Sequence, residues 1–326
     1  MKTPFLLIAI ILPTSSLAAD EPPDGKQILE KMAHAMHSLN YQGTVAFVRG
    51  GKLDTMAYYH ATQNNIEQER MSSLNSPLRE ITRQSGRVSH LYPATGIHMT
   101  EERPFEDSFL LNIPKRIGEL EAYYSVNVLD DDEKVALLPA YAIELKPKDQ
   151  LRYSRKIWIE KNNSLPVRTE TFDVTGQQVE EMSFTKLEIK DKLPILNAME
   201  QWHGLAEDKR ICAYKTKIVD FATAPFTADQ LPPGFHVLFF TQRTLKPSDQ
   251  PVNHLIIGDG LSFVSIYLEH SQSNTANYQS NGVQTIGSVR FYSQPLDNYD
   301  LTVMGEVPEE TISLIANSIK LKTDKH

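Results

Sequence analysis

Few residues in this chain combine the type and the spacing that chemistry needs. Ser183-Phe184-Thr185-Lys186 matches the S-x-x-K spacing of a serine nucleophile with a lysine base. It sits in an alternating strand pattern, however, and neither S-D-N nor K-T-G follows it. Gly260-Leu261-Ser262-Phe263-Val264 lacks the second glycine of a nucleophile elbow. His34 and His37 are three apart in a helical pattern and could face one metal ion, but no third ligand is set by spacing, and no H-E-x-x-H or cysteine pair occurs. Asp130-Asp131-Asp132-Glu133 has the charge of a calcium loop without its glycine and distal glutamate, so it reads as a solvated turn. There is no phosphate-cradling G-x-x-x-x-G-K and no dinucleotide fingerprint. The expectation is a protein that is not an enzyme, holds no metal and uses no cofactor. Such a chain binds something.

Composition narrows what it binds and where. A positive Lys2, an apolar run over 5–12 and the small residues Ser16-Leu17-Ala18-Ala19 read as a secretory signal peptide over 1–19, which places the mature chain outside the cytoplasm. Loss of that segment deletes Lys2 and no acid, so the formal charge goes from −8 to −9. An acidic chain without a run of Lys and Arg is a poor ligand for nucleic acid or for an anionic membrane surface. Cys212 is the only cysteine, so no intramolecular disulfide forms and stability must come from packing.

The elements that would position a site are mostly strands. Asp24 caps a first helix whose apolar residues Ile28, Leu29, Met32, Ala35, Met36 and Leu39 recur at helical spacing. The period then becomes two: Tyr41, Gly43, Val45 and Phe47 share one side, and Gly50-Gly51 turns the chain into a second strand over 53–60. Further strands are expected over 78–83, 87–92, 97–100, 141–146, 155–160, 167–173 and 178–189. Consecutive strands on short turns make an antiparallel meander, and a half-open barrel with helices at its mouth hides the edges. A connection over 191–227 leads to a smaller domain over 228–322, with strands over 235–243, 254–257, 261–269, 288–292 and 299–304 and a C-terminal helix opened by Pro308. The fold class is therefore mainly β with flanking helices: a large half-open antiparallel barrel over 20–190, then a small antiparallel sheet with one helix.

Particular residues carry a family resemblance. The run from Tyr153 through Trp158, the Asn162-Asn163 turn, Leu165-Pro166 and Arg168-Thr169-Glu170 to Gly176 resembles the core hairpin of LolA and LolB lipoprotein carriers. Leu39-Asn40-Tyr41-Gln42-Gly43-Thr44, the Arg49-Gly50-Gly51 turn, Met56 and His60 resemble the start of the mature domain of RseB/MucB proteins. Leu231-Pro232-Pro233-Gly234-Phe235, the stretch 254–269 and Val303-Met304-Gly305-Glu306-Val307-Pro308 resemble the second domain of that family. The match in order and spacing runs from about residue 28 to the final helix.

The resemblance implies a periplasmic negative regulator. Such a protein binds the periplasmic domain of an RseA- or MucA-type anti-sigma factor, shields it from site-1 proteolysis and lets go when lipid or lipopolysaccharide acyl chains bind. It leaves a homodimer open. A lipid or lipoprotein carrier without a signalling role is the alternative. The wall of the half-barrel would supply the acyl site, with Val45, Phe47, Met56, Tyr58, Leu91, Tyr92, Met99, Phe105, Phe109 and Trp158 as its candidates. The same residues could equally be filling a barrel core.

Overall fold

The computed structural model describes residues 24–322, apart from 76, 96, 104–107, 115, 131–132, 197–210, 214, 245–249 and 272–281. The signal segment over 1–19 and Phe105 lie outside the described residues.

The chain opens with α1 (Gly25–Ser38), started where Asp24 accepts a hydrogen bond from the Lys26 backbone N–H at 3.1 Å. Its buried stripe of Ile28, Leu29, Met32, Ala35 and Met36 lies on the large sheet. That sheet is first a meander of β1 (Asn40–Arg49), β2 (Lys52–Gln63), β3 (Ile66–Ser73), β4 (Glu80–Gln84), β5 (Arg87–Tyr92) and β6 (Ile97–Glu102). A 3-10 turn, Ile117–Ala122, precedes β7 (Tyr124–Leu129). There follow β8 (Lys134–Val135), β9 (Leu138–Pro147), β10 (Ser154–Glu160), β11 (Pro166–Phe172) and β12 (Gln178–Lys190). Tight turns set the register. Gly50 and Gly51, and again Asn64 and Asn65, all take positive φ, the conformation that two-residue hairpins require.

β12 closes back on β1, so the order is β6-β5-β4-β3-β2-β1-β12-β11-β10-β9-β7. Among the described residues the two ends of this ladder do not pair, and the sheet stays half-open as the pattern predicted. β3 and β7 are among the strands that escape the sequence pattern. In β3 the buried positions are Gln68, Glu69 and Arg70 as well as Met71, so burial there is not written in apolar residues.

The connecting segment is structured on both sides. β13 (Ile211–Ala213) adds to β6 as the parallel member of the large sheet, and β14 (Lys215–Ile218) pairs with β16 (His236–Thr244) in the small one. The small sheet continues through β17 (Pro251–Gly258), β18 (Phe263–His270), β19 (Gln284–Ile286), β20 (Val289–Leu296) and β21 (Tyr299–Gly305), in the order β14-β16-β17-β18-β21-β20-β19. α2 (Glu309–Ser318) starts after Pro308 with Glu309 and Glu310 at its positive end. It packs Ile312, Ile315 and Ala316 on Leu255, Ile257, Val264, Ile266, Leu301 and Val303. β15 (Phe226–Ala228) pairs with β22 (Ile319–Leu321) beside it. Among the described residues no helix is long and apolar enough to cross a membrane.

Candidate functional site

Strand register decides which wall candidates share a face. Val45 stands opposite Met56, and Gly43 opposite Tyr58. The same face then runs from Tyr58 through Met71, Ile81 and His90 to Met99. Tyr92, two residues from His90, joins it. α1 and the residues around Leu110 and Leu111 cover this face, and Val45, Met56 and Tyr58 are almost wholly withdrawn from solvent beneath them. Phe47 and Phe109 pack at its margin, and Tyr92 and Met99 stay half-buried.

Two candidates need correction. Leu91 pairs with Glu80 and His98 and points to the opposite face from Tyr92. Trp158 belongs to a separate cluster with Val135, Ala140, Ala142 and Val167, its ring 4.6 Å from the Arg168 guanidinium, while Ile157 takes the α1 side. Adjacent strand residues point opposite ways, and this sheet carries apolar clusters on both faces, so alternation alone does not say which side is inside.

Beneath α1 lies a polar network that the sequence does not advertise. The Glu69 carboxylate is fully buried and accepts hydrogen bonds from the Tyr58 hydroxyl, Ser108 Oγ at 2.7 Å, the Phe109 backbone N–H at 3.0 Å and Arg83 Nε at 2.8 Å. Arg83 Nη2 also donates to Glu67 at 2.6 Å, and His37 and His60 face the same carboxylate. Burial alone would raise the Glu67 carboxyl, but His37, His60 and Arg83 together hold it well below the usual carboxylate range. Burial pushes the Tyr41 and Tyr58 hydroxyls up. The network is satisfied and almost charge-balanced, so it anchors the loop at 108–109 to the sheet and supplies no nucleophile. Among the described residues no group of His, Cys, Asp and Glu is placed to hold a metal ion.

The two sheets meet along a charged seam. Asp259 is a turn residue: its Oδ1 accepts from the backbone N–H of Leu261 and Ser262. Its Oδ2 takes Arg152 Nε at 2.7 Å and the Tyr124 hydroxyl at 2.9 Å, both from the large domain. Arg152 also donates to Asp149 and to the Pro233 carbonyl, and its guanidinium lies 4.9 Å from the Tyr123 ring centroid and 5.2 Å from that of Phe235. The turns at 258–260 and 231–234 are thus docking points. The docking role of Arg152 carries no sequence signal, because its partners in the small domain are 81 and 107 residues away.

The seam has further ionic contacts at Glu306, which Arg155 also reaches at 3.6 Å, and at Glu101. Arg49 Nη2 binds Glu180 at 2.5 Å and reaches Glu306 at 3.4 Å, while Ser288 Oγ donates to Glu180 at 2.5 Å. Arg243 Nη2 binds Glu101 at 2.5 Å, with Arg103 and His90 on the same carboxylate. Burial would raise Glu101, but His90, Arg103 and Arg243 bring it down to about 2. Behind Arg243, His254 stacks on Tyr267 with both ring nitrogens unpartnered among the described residues, and burial lowers it to about 3.

Comparison with known proteins agrees with this two-sheet plan. The MucB/RseB N-terminal domain model matches residues 24–202 and the MucB/RseB C-terminal domain model matches residues 220–320. The Sigma-E factor regulatory protein RseB of Haemophilus influenzae is 25% identical over 326 residues, covering 98% of both chains. The Sigma factor AlgU regulatory protein MucB of Pseudomonas aeruginosa is 24% identical, again over 98% of each. A solved structure of MucB in complex with MucA(peri) superposes with a TM-score of 0.68 at 23% identity, covering 92% of this chain and all of that one. With both domain models matched in order along one chain, the protein belongs to the MucB/RseB family.

Proposed function

We propose that this chain is a periplasmic regulatory binding protein that holds the periplasmic segment of a membrane anti-sigma factor of the RseA/MucA type. By covering that segment it denies the site-1 protease its substrate, and the sigma-E-type envelope-stress response stays silent. The observation that carries this reading is the presence of both family domains, in order, on a chain whose relatives are named as sigma-factor regulators. Carriage of lipid alone would leave the second sheet without a task. The seam supplies the physical means: two sheets docked through ionic contacts at Asp259, Glu306 and Glu101 form one continuous surface, and an extended peptide gains from both sides of such a surface.

The face beneath α1 is the place for a releasing acyl chain, with Met56, Tyr58, Val45, Phe47, Phe109, Tyr92 and Met99 as its wall. That face is closed in this structure, so an acyl chain enters by moving α1 or the 108–111 loop. Each methylene buried there contributes about 0.8 kcal/mol, enough to offset such a movement. If lipid and partner favour different arrangements, each weakens the other by the same factor.

The test is calorimetry of the mature chain with the anti-sigma periplasmic segment, followed by site-1 protease digestion with and without it. Binding together with protection supports the reading; tight binding that leaves cleavage unchanged, or no binding at all, rejects it.

A further inference from the structure

We propose that the face of the large sheet opposite α1 carries a second, separate binding site: a cleft for a small amphipathic organic anion. The cleft has a volume of about 590 Å³, within the range of sites that take compact organic ligands.

Its shape follows from register. One rung across four strands reads Lys186, Thr44, Ala57, Ser72, and the next reads Glu188, Gln42, Tyr59, Arg70. The inner residues of the first rung are small and those of the second are tall, so a trough opens between them. Neighbouring strands are about 4.8 Å apart, which makes the trough about 14 Å long.

The far wall is a strap of chain leaving β12. The Tyr59 hydroxyl donates to the Pro194 carbonyl at 2.5 Å. Gln68 grips Leu196 by both backbone groups, accepting its N–H at 2.9 Å and donating to its carbonyl at 2.7 Å. Gripped this way, Leu193, Pro194 and Leu196 present a fixed apolar side to the cleft.

The end formed by Arg70 gives the ligand its charge. Arg70 is about nineteen-twentieths buried and lines the cleft. Its Nη2 binds Glu80 Oε2 at 2.5 Å, but Nη1 has no hydrogen-bond partner among the described residues and is withdrawn from solvent. A buried N–H left unpaired costs free energy that an acceptor restores. At the other end Lys186 sits 2.6 Å from Glu188, a cation already held in place. An apolar wall and a buried guanidinium with a spare donor fit a carboxylate, sulfonate or phosphate head on a compact apolar body. The site uses the reverse side of β1–β3 from the proposed acyl wall, so it stands whether or not that wall takes lipid.

The probe is 1-anilinonaphthalene-8-sulfonate, with N-phenyl-1-naphthylamine, which has the same rings and no sulfonate, as the neutral comparison. Both are titrated by fluorescence into the full mature chain. The sulfonate is expected to bind saturably at one site, at least tenfold more tightly than the neutral probe. Ala57→Phe fills the trough floor without touching a charge and is expected to cut sulfonate affinity at least tenfold at unchanged melting temperature. Arg70→Met with Glu80→Met removes the guanidinium without stranding its carboxylate and is expected to abolish the preference for the charged probe. No saturable site, equal binding of both probes, or an Ala57→Phe variant that binds the sulfonate like the parent would each overturn the proposal.

Discussion

Arg152 Nε and Asp259 Oδ2 lie 2.7 Å apart across 107 residues of sequence, one in the β9–β10 loop and one in the β17–β18 turn, with both side chains shut away from solvent. A buried pair of this kind is weak evidence of net stabilisation, because both ions lost their hydration on folding. It is strong evidence of position. Each charge is tolerable only when the other is present, so this contact fixes where the small sheet docks.

Breaking the pair should therefore be costly from either side. Arg152→Met is expected to lose about 3–5 kcal/mol, because it strands the buried Asp259 carboxylate, and Asp259→Asn to lose less, because Arg152 keeps Asp149. Urea denaturation of the single variants measures this. A loss below about 1 kcal/mol from Arg152→Met would show that the seam does not depend on the pair.

Gly234 and Gly260 separate packing from backbone strain. Both have positive φ, and a Cβ on Gly234 would run into the Tyr123 ring while one on Gly260 would come 2.7 Å from Pro114 Cβ. Gly51 also has positive φ but faces open space. Ala at Gly51 should cost about 1 kcal/mol from φ alone, and Ala at Gly234 or Gly260 about 2–4 kcal/mol, with weaker binding of the anti-sigma segment. Equal costs at all three positions would deny the docking role.

Acid should loosen the seam. His254 normally titrates near 6.5 and here near 3, so the unfolded chain takes up a proton first and stability falls as pH drops from 6.5 towards 3. Glu101 falls from 4.5 to about 2, so its stabilisation is complete above 4.5 and is lost between 4.5 and 2. The slope from His254 is about 1.4 kcal/mol per pH unit over its window. His254→Phe keeps a ring beside Tyr267 and should flatten the decline between pH 6.5 and 4.5 in denaturant titrations; an unchanged slope would assign it to other groups.

Met56 is packed under α1, so Met56→Trp should overfill the core and cost about 1–3 kcal/mol, read as a lower melting temperature. Met56→Leu conserves volume and should cost less than about 1.5 kcal/mol. If the acyl chain uses this wall, the Trp variant that still folds should bind the anti-sigma segment and resist release by lipid. A Trp variant as stable as the parent would mean that free space already exists there.

The sequence by itself determined the β meander, the two helices and the division into a large and a small sheet. Those features rest on local physics: Gly50-Gly51 allows one kind of turn, and Ile28, Leu29, Met32 and Met36 can share only a helical stripe. It also carried the family, through motifs spread along the whole chain. β3 stayed hidden because its buried residues include Glu69 and Arg70, which become acceptable inside only once Arg83 and Glu80 arrive from β4. Only the tertiary structure decided that Trp158 and Leu91 face away from the wall, since a period of two gives alternation but no sign of which side is in. It alone brought Arg152 to Asp259. Charge pairing over that separation depends on the docking of two finished sheets, and no local pattern encodes it.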